Sequence, residues 1–383
     1  MSEQKYYPLS VIEGHWNMAA GDAAEKMLDM FKDNGYADKT ATVDDLYGYI
    51  FGTDFFSPEY AGPFKRYNDM ILYNRRTNRE LCPNLRMEDV KERSTEWKDM
   101  TAIGLVLTEW SKMKMAYKVD NDFFHEIKNT ENLTVTRNIY EKLPYRTLFI
   151  DLTEVKDISG FKGVWVMLVK DRKTEKIGIN ILMCRGETEY TFFSHYSWID
   201  FHESEEAKLN LSELPESQFI VRNFCMDGVE PVSALSDPKR APYLSVKEAD
   251  IRPELVMATL QILQFIAMDA SDIAENQTTK RTYKPSATVK NKFSEVRMWD
   301  VGVRYGKAIR TARDEYRKRI RGENTGNETQ KNRKPTRPHV RRAHWHKFRI
   351  GKGRTELTTH WIAPVFVCGN GQEIPVTIHK LKK

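Results

Sequence analysis

Apolar residues in the first part of the chain recur at the three- and four-residue spacing of an amphipathic helix. In GDAAEKMLDMFKDNG, residues 21–35, they fall on one helical face, and the pattern stops at Asn34-Gly35. Residues 95–119 carry the longest pattern of this kind, with Trp97, Ile103 and Trp110 among its apolar positions. We therefore predict a helical N-terminal region over residues 1–135.

The pattern changes near Pro144. Short runs of β-branched and aromatic residues follow, separated by turn-forming segments, and they are typical of an antiparallel meander; the runs cover residues 145–152, 163–170, 177–184 and 189–196. Residues 252–275 are apolar nearly all round a helix, so this helix should lie buried against the sheet. We predict a central antiparallel or mixed sheet with one buried helix over residues 136–275.

The C-terminal part should be a small basic module. Residues 276–294 are polar and turn-rich, which predicts a linker, and a helical pattern runs over residues 304–321 within the module, residues 295–383. Val340 to Ile350 is compatible with a strand, Gly351-Lys352-Gly353 with a turn into a second strand, and Asn370-Gly371 with the turn of a second hairpin. The fold class predicted from these parts is α+β.

Composition limits the class of protein and the cellular compartment. The chain has 383 residues and 40% hydrophobic residues, which is ample for packed cores. Its four cysteines are scattered, it begins without a secretory pattern, and no apolar run approaches the ~20 residues that cross a bilayer. These features favour a cytoplasmic protein that does not enter a membrane, and no motif points to a cofactor.

Charge is distributed unevenly. Residues 304–354 contain 18 Lys and Arg against four acids, a balance of +14, so the rest of the chain carries 6 − 14 = −8. An acidic body with a basic C-terminal arm is the footprint expected for a polyanionic partner, RNA or DNA above all. A solvated basic surface without a partner is the alternative.

The densest part of this arm is RPHVRRAHWHKFRIGKGR, residues 337–354. A metal site there would lack the usual Cys, Asp or Glu ligands, so we assign no metal. A metal-independent ribonuclease could use Arg342, His344 and His346, which leaves open whether the protein is an enzyme. Nucleic-acid binding is favoured, because arginines grip phosphate and aromatic rings stack on unpaired bases. The predicted RNA-binding residues are Arg337, His339, Arg341, Arg342, His344, Trp345, His346, Lys347, Lys352 and Arg354.

One tryptophan of this stretch could instead belong to the core of the module. Trp345 and Trp361 are both large enough to hold a hairpin onto a body, and the sequence alone does not decide between packing and base stacking. A strand over residues 340–350 would place Arg342, His344, His346 and Phe348 on one face and Trp345 on the other.

The same stretch resembles a phage anti-CRISPR family, the second-named of the type V-A anti-CRISPRs. The resemblance is carried by RPHVRRAHWH, then a Gly-x-Gly and a Trp-x-x-Pro before an apolar strand. Pro338, Gly351, Gly353, Trp361 and Pro364 fill structural places in that signature. It covers residues 140–367, most strongly the last 35 or so, and we recognise nothing of the family in the N-terminal 130 residues.

The resemblance implies an inhibitor that prevents production of the type V-A CRISPR effector nuclease. Its partners would be the N-terminal polypeptide of the effector, bound as it emerges from the ribosome, and RNA, with loss of the effector message as the result. Two alternatives stay open from the residues: a ribonuclease in its own right, and a regulatory RNA-binding protein of a phage or plasmid with no CRISPR target. The sequence predicts no oligomeric state.

Overall fold

The computed structural model describes residues 6–15, 23–51, 62–64, 103–130, 133–136, 143, 145–170, 177–186, 189–199, 206–209, 220–225, 252–268, 271–275, 296–321, 337–354, 356–368 and 373–376. The predicted linker, residues 276–294, lies outside this part of the chain. Within it, helices accompany mixed and antiparallel sheets, so the predicted α+β class is confirmed.

The described residues of the N-terminal region up to residue 113 are mainly helical. Its described helices are α1 (Tyr7–His15), α2 (Ala23–Asp33), α3 (Val43–Phe51) and α4 (residues 103–113), with a short 3-10 turn at Gly62–Phe64. The predicted apolar face of α2 is buried through Ala24, Leu28 and Phe31. The helix ends where predicted, because Gly35 adopts φ 69°, which interrupts the helix.

The prediction of one helix over residues 95–119 is wrong at its C-terminal end. Helix α4 stops at residue 113, Lys114 adopts φ 49°, and strand β1 (Met115–Val119) follows. Met115, Ala116, Tyr117 and Val119 are all buried because β1 lies inside a sheet that is covered on both faces. A short apolar run buried on both faces cannot be told from a helix by its periodicity.

An eight-stranded mixed sheet forms the centre of the fold. Besides β1 it contains β3 (Thr147–Asp151), β4 (Phe161–Lys170), β5 (Ile177–Arg185), β6 (Glu189–Ile199), β8 (Ile220–Cys225), β9 (Ile273–Glu275) and β10 (Arg297–Val301). The strand order is β8-β6-β5-β4-β3-β1-β10-β9; β1 pairs in parallel with both β3 and β10, and the other pairs are antiparallel. A separate pair joins β2 (Leu133–Thr136) to β7 (Glu206–Leu209).

Alternate residues of the central strands enter two different cores, as the two-residue period of a strand requires. Trp165 and Met167 of β4 pack with the N-terminal helices, whereas Val164 and Val166 pack on the opposite side. That opposite side is covered by α5 (Asn121–Lys128), α6 (Arg252–Ala267) and α7 (Val303–Ile320). The described part of the chain therefore has helices on both faces of its sheet.

Helix α6 is the buried helix that the sequence predicts, and Leu255 to Ala267 lie inside the second core. It ends at Ala267 rather than at residue 275, because Ile273–Glu275 becomes the edge strand β9 beside β10. Strands β1 and β10 come from the predicted N-terminal region and C-terminal module, so the predicted boundaries at 135 and 295 separate segments that share one sheet.

The C-terminal module contains β11 (His339–Arg341), β12 (His344–Ile350), β13 (Glu356–Ile362), β14 (Val365–Val367) and β15 (Glu373–Pro375). The single strand predicted over residues 340–350 is broken at Arg342 and Ala343. Strand β11 joins a three-stranded sheet with β14 and β15, whereas among the described strands β12 pairs only with β13. Ala343, whose small side chain is buried against the second core, occupies the crossing between the two sheets.

The turn between β12 and β13 forms where predicted. Gly351 and Gly353 have φ values of 82° and 81°, a conformation that glycine adopts without strain. The backbone amide of Arg354 donates to the carbonyl oxygen of Gly351 at 3.1 Å, which closes the turn. Strands β14 and β15 pair as the second hairpin, and their predicted turn at Asn370-Gly371 lies outside the described residues.

Candidate nucleic-acid interface

The β12–β13 hairpin, residues 344–362, is held onto the body by two tryptophans that face each other across its strands. Trp361 is only 2% exposed and meets three aromatic rings edge to face: Phe123 of α5, Phe265 of α6 and Tyr305 of α7. Trp345 is half-buried against the same core. Of the two open roles for Trp361, the core role is the one that the structure shows.

A buried polar network fixes both indoles. The Trp361 indole nitrogen donates to the Thr130 hydroxyl at 3.1 Å, and the Trp345 indole nitrogen donates to the Gln261 side-chain oxygen at 3.2 Å. Gln261 in turn donates its amide to the Thr130 carbonyl oxygen at 3.0 Å. Because buried polar groups are costly unless they are hydrogen-bonded, this network sets the position of the hairpin. No pattern in the sequence pointed to Gln261 or Thr130 as functional residues.

The opposite face of the hairpin is open. His344, His346 and Phe348 alternate with Trp345 along β12 and are exposed, and His360 of β13 lies directly opposite His346. The ring centroids are 6.3 Å apart for His344 and His346, 4.5 Å for His346 and Phe348, and 5.6 Å for Phe348 and His360. We call these four side chains the outer ladder.

Cations lie on both faces of the hairpin. Lys347 and Arg349 alternate with the ladder members of β12 and therefore share the face of Trp345, whereas Lys352 and Arg354 lie in the turn; all four are exposed. Arg342, in the crossing before β12, is exposed as well. His344, His346, Lys347, Lys352 and Arg354 of the predicted RNA-binding residues are therefore exposed on this hairpin, Arg342 precedes it, and Trp345 packs inward.

The predicted residues of β11 lie in the other sheet. Arg337 and His339 are exposed, and the His339 Nδ1 atom is 2.9 Å from the Arg337 carbonyl oxygen. Arg341 forms an ion pair with Glu373 of β15 at 2.9 Å. This sheet packs on α7 through a small core of Ala312, Phe366 and Ile374.

Much of the positive charge on α7 is neutralised inside the fold. Arg310 pairs with Asp120 and Asp122 of the α5 N-terminus at 3.1 and 2.7 Å. Arg313 pairs with Asp122 at 2.8 Å and with Glu126 at 3.0 Å. The basic helix is therefore in part a structural partner of α5, although Lys307 and Lys318 of the same helix are exposed.

The pKa values of this cluster agree with charge pairing. Burial alone would raise the pKa of Asp122, but hydrogen bonds from Arg310 and Arg313 outweigh it and hold the pKa of Asp122 below its usual value. The hydrogen bond to Asp122 is also the main reason why the pKa of Arg310 is raised. Both groups stay ionised at neutral pH.

Helix α7 begins on a buried carboxylate. Asp272 accepts the backbone amides of Arg304 at 2.7 Å and Tyr305 at 3.2 Å, and it also pairs with the Arg304 guanidinium. Gly302 precedes the helix with φ 74°, and an added Cβ there would lie 2.3 Å from Phe123. The absence of a side chain at Gly302 lets the N-terminus of α7 pack close to α5, and the later turns of the helix contact the C-terminal sheet.

The family model described as AcrVA2-like, Anti-CRISPR type V subtype A2 family, matches residues 117–369, which is most of the chain. The chain belongs to this anti-CRISPR family. Among solved structures it is similar to one described as the crystal structure of AcrVA2, at 15% identity and a TM-score of 0.31, covering 69% of this chain and 76% of that one. The comparison with curated proteins found no match.

The family region begins at β1 and ends just after β14, so it includes the central sheet, α5 to α7 and the hairpin. The signature residues Gly351 and Gly353 form the hairpin turn, Trp361 anchors the hairpin, and Pro364 is buried between β13 and β14. Pro338 directly precedes β11.

No group of three or more His, Cys, Asp or Glu side chains in the described ranges is arranged to hold a metal ion. Among the helices of the described part of the chain, none is both long and apolar enough to span a bilayer.

Proposed function

We propose that this anti-CRISPR family member lowers production of a type V-A CRISPR effector nuclease in the bacterial cytoplasm. Its body binds the N-terminal polypeptide of the effector as it emerges from the ribosome, and its C-terminal hairpin contacts RNA and promotes loss of the effector message. The family supports a partner related to a type V-A effector. The polypeptide, the ribosome and the RNA are parts of the proposal.

The observation that carries the RNA contact is the exposed cationic hairpin. Lys347, Arg349, Lys352 and Arg354 project on a hairpin whose opposite end is fixed by Trp345 and Trp361. A rigid cationic hairpin pays little ordering entropy when it meets a phosphate backbone. Guanidinium groups can also grip phosphate oxygens bidentately.

The ion pairs of α7 favour the hairpin over the helix as the contact. Arg310 and Arg313 already serve carboxylates of α5, so moving them to phosphate would leave Asp122 without its partners. The cost of an unpaired, half-buried carboxylate opposes that exchange. Arg349, Lys352 and Arg354 of the hairpin are exposed, and their binding to phosphate would not take a partner from Asp122.

The polypeptide site is assigned to the body by charge. Outside residues 304–354 the chain has a net charge of 6 − 14 = −8. An acidic body suits a basic polypeptide segment and keeps the body itself from competing for RNA. The two ligands would then bind different parts of one chain.

A salt titration of RNA affinity tests the contact. We expect Arg349→Ala/Lys352→Ala to weaken binding of single-stranded RNA and to flatten the slope of log K against log salt by about 1.4, about 0.7 for each lost phosphate contact. The matched control is Lys39→Ala/Lys156→Ala, which removes two exposed lysines of the body. Equal slopes for the two double variants would contradict the proposal.

The same preparation separates binding from cleavage. His344 and His346 are exposed with ring centroids 6.3 Å apart, and imidazoles beside cations can act in acid–base cleavage of RNA. Incubating purified protein with the effector message, without ribosomes, should leave the message intact if loss requires host factors. Cleavage that His344→Ala abolishes and EDTA does not would establish the ribonuclease alternative.

A further inference from the structure

Phe348 is a large apolar side chain placed where burial does not explain it. It is 39% exposed, although it lies on a hairpin whose other face offers a packed core. In β12 it shares its face with His344 and His346, whereas the tryptophans occupy the buried face. Side chains on this face contribute little to docking the hairpin, so their aromatic character needs another reason.

The outer ladder is composed of rings that meet edge to face. The planes of His346 and Phe348 are inclined by 65°, and those of Phe348 and His360 by 63°. Rings at such angles do not cover one another as a parallel stack would, so ring surface remains for an outside partner. The spacing of 4.5 and 5.6 Å gives a row of neighbouring rings on one strand pair.

The charge around the row identifies the chemistry of the partner. Lys352 and Arg354 lie beyond Phe348 in the turn and are exposed, whereas Arg349 is exposed on the other face of β12. A ligand that satisfies both features has flat rings at a regular spacing and a negative charge on each unit. An unpaired nucleic-acid strand fits, whereas a duplex hides the faces of its bases.

We propose that the outer ladder is a stacking platform for unpaired RNA bases, with Phe348 and His360 as binding residues beside His346. This inference rests on the proposed RNA contact and adds the residues and the kind of RNA. Trp345 then serves to position the hairpin through Gln261 rather than to stack on bases. Lys352 and Arg354 hold the phosphates that flank the stacked bases.

Fluorescence anisotropy with a labelled oligouridine of about 12 nucleotides tests the platform, using the full-length protein. We expect Phe348→Ala to weaken binding roughly 5- to 150-fold, the range for loss of one stacked base, with the salt slope unchanged. Phe348→Tyr should restore most of the affinity because it restores the ring. Val340→Ala is the matched control, since Val340 is an exposed apolar residue of β11 outside the ladder.

Three comparison ligands sharpen the test. Duplex RNA of equal length should bind more weakly than oligouridine and should not respond to Phe348→Ala. An abasic ribose-phosphate strand should bind wild type and Phe348→Ala equally. Tighter binding of the matching deoxyribonucleotide strand would overturn RNA as the ligand of the platform.

The outcomes separate the two proposals. If wild type binds oligouridine, Arg349→Ala/Lys352→Ala flattens the salt slope, and Phe348→Ala and His360→Ala bind as wild type does, the platform is refuted and the RNA contact stands. If wild type binds no RNA, both proposals are refuted. Losses for Phe348→Ala that Val340→Ala matches would also refute the platform.

Discussion

Replacing Trp361 by alanine should undock the hairpin without unfolding the central sheet. Trp361 is almost fully buried among Phe123, Phe265 and Tyr305, and truncation of such a side chain costs about 3–5 kcal/mol. The variant also removes the donor to Thr130, a hydrogen bond worth about 1 kcal/mol. The loss should fall on docking, because the strands of the central sheet do not include β13.

Hydrogen–deuterium exchange resolves this local effect. A loss of about 3 kcal/mol or more should reduce the protection of the β12 and β13 backbone amides by roughly 100-fold or more, while β3 and β4 amides keep theirs. Trp361→Phe keeps most of the ring and loses the donor, so its effect should be smaller. Phe348→Ala is the matched aromatic control on the same hairpin and should cost about 1 kcal/mol or less, because Phe348 is exposed.

Unchanged hairpin protection in Trp361→Ala would refute the anchoring argument. So would equal losses for Trp361→Ala and Phe348→Ala, because the two faces of the hairpin would then contribute alike. Either result would also remove the rigidity on which the proposed RNA contact depends.

Three further predictions concern the stability of the whole fold, and urea unfolding measures each of them. Gly306→Ala should destabilise by about 1–3 kcal/mol, since the new Cβ would lie 1.8 Å from the Asp120 carboxylate, and a neutral or stabilising result would contradict the close crossing of α5 and α7. Asp272→Ala should cost about 1–2 kcal/mol or more through the lost start of α7 and its pair with Arg304; a cost equal to that of an exposed acid would refute this role. Burial lowers the pKa of Lys114 to about 8, so below that pH the folded protein holds a buried charge that costs stability. Between pH 8 and the ordinary lysine pKa only the unfolded protein keeps the proton, so stability should rise with pH. Lys114→Met should lack that rise, and equal pH slopes for the two proteins would contradict the prediction.

Local patterns predicted the elements that depend on neighbouring residues. The meander strands, the buried helix α6, the helix α7 and the Gly351–Gly353 turn follow from periodicity and glycine placement, and all are present. The predictions that were wrong concern elements whose partners lie far away along the chain. Strand β1 looked helical because its parallel neighbour β10 lies far along the chain, and the structure alone shows why all but one of its side chains are buried.

The candidate site shows the same difference between features that depend on neighbouring residues and features that depend on distant ones. The sequence placed Arg342 to Arg354 on an exposed hairpin, and alternation correctly separated Trp345 from His344 and His346. It could not show that Arg310 and Arg313 pair with acids about 190 residues away, so it overstated the free charge on α7. His360 was missed because its place in the outer ladder depends on the register of β13 against β12.

The division of work between an acidic body and a cationic hairpin suggests two separable losses. Hairpin variants such as Arg349→Ala/Lys352→Ala should keep polypeptide binding and lose RNA binding. In cells they should therefore still recognise the effector while its message persists. This pattern would not be expected if one surface bound both ligands.

Selective capture of ribosomes through a tagged form of this protein is the most direct test of the proposed function. In a host that expresses a type V-A effector, sequencing of the captured footprints should show one enriched message, that of the effector, from early in its reading frame once the N-terminal polypeptide has emerged. Arg349→Ala/Lys352→Ala should capture the same ribosomes while the message level no longer falls. Capture without enrichment of the effector message would contradict recognition of the nascent polypeptide and with it the proposed mode of inhibition.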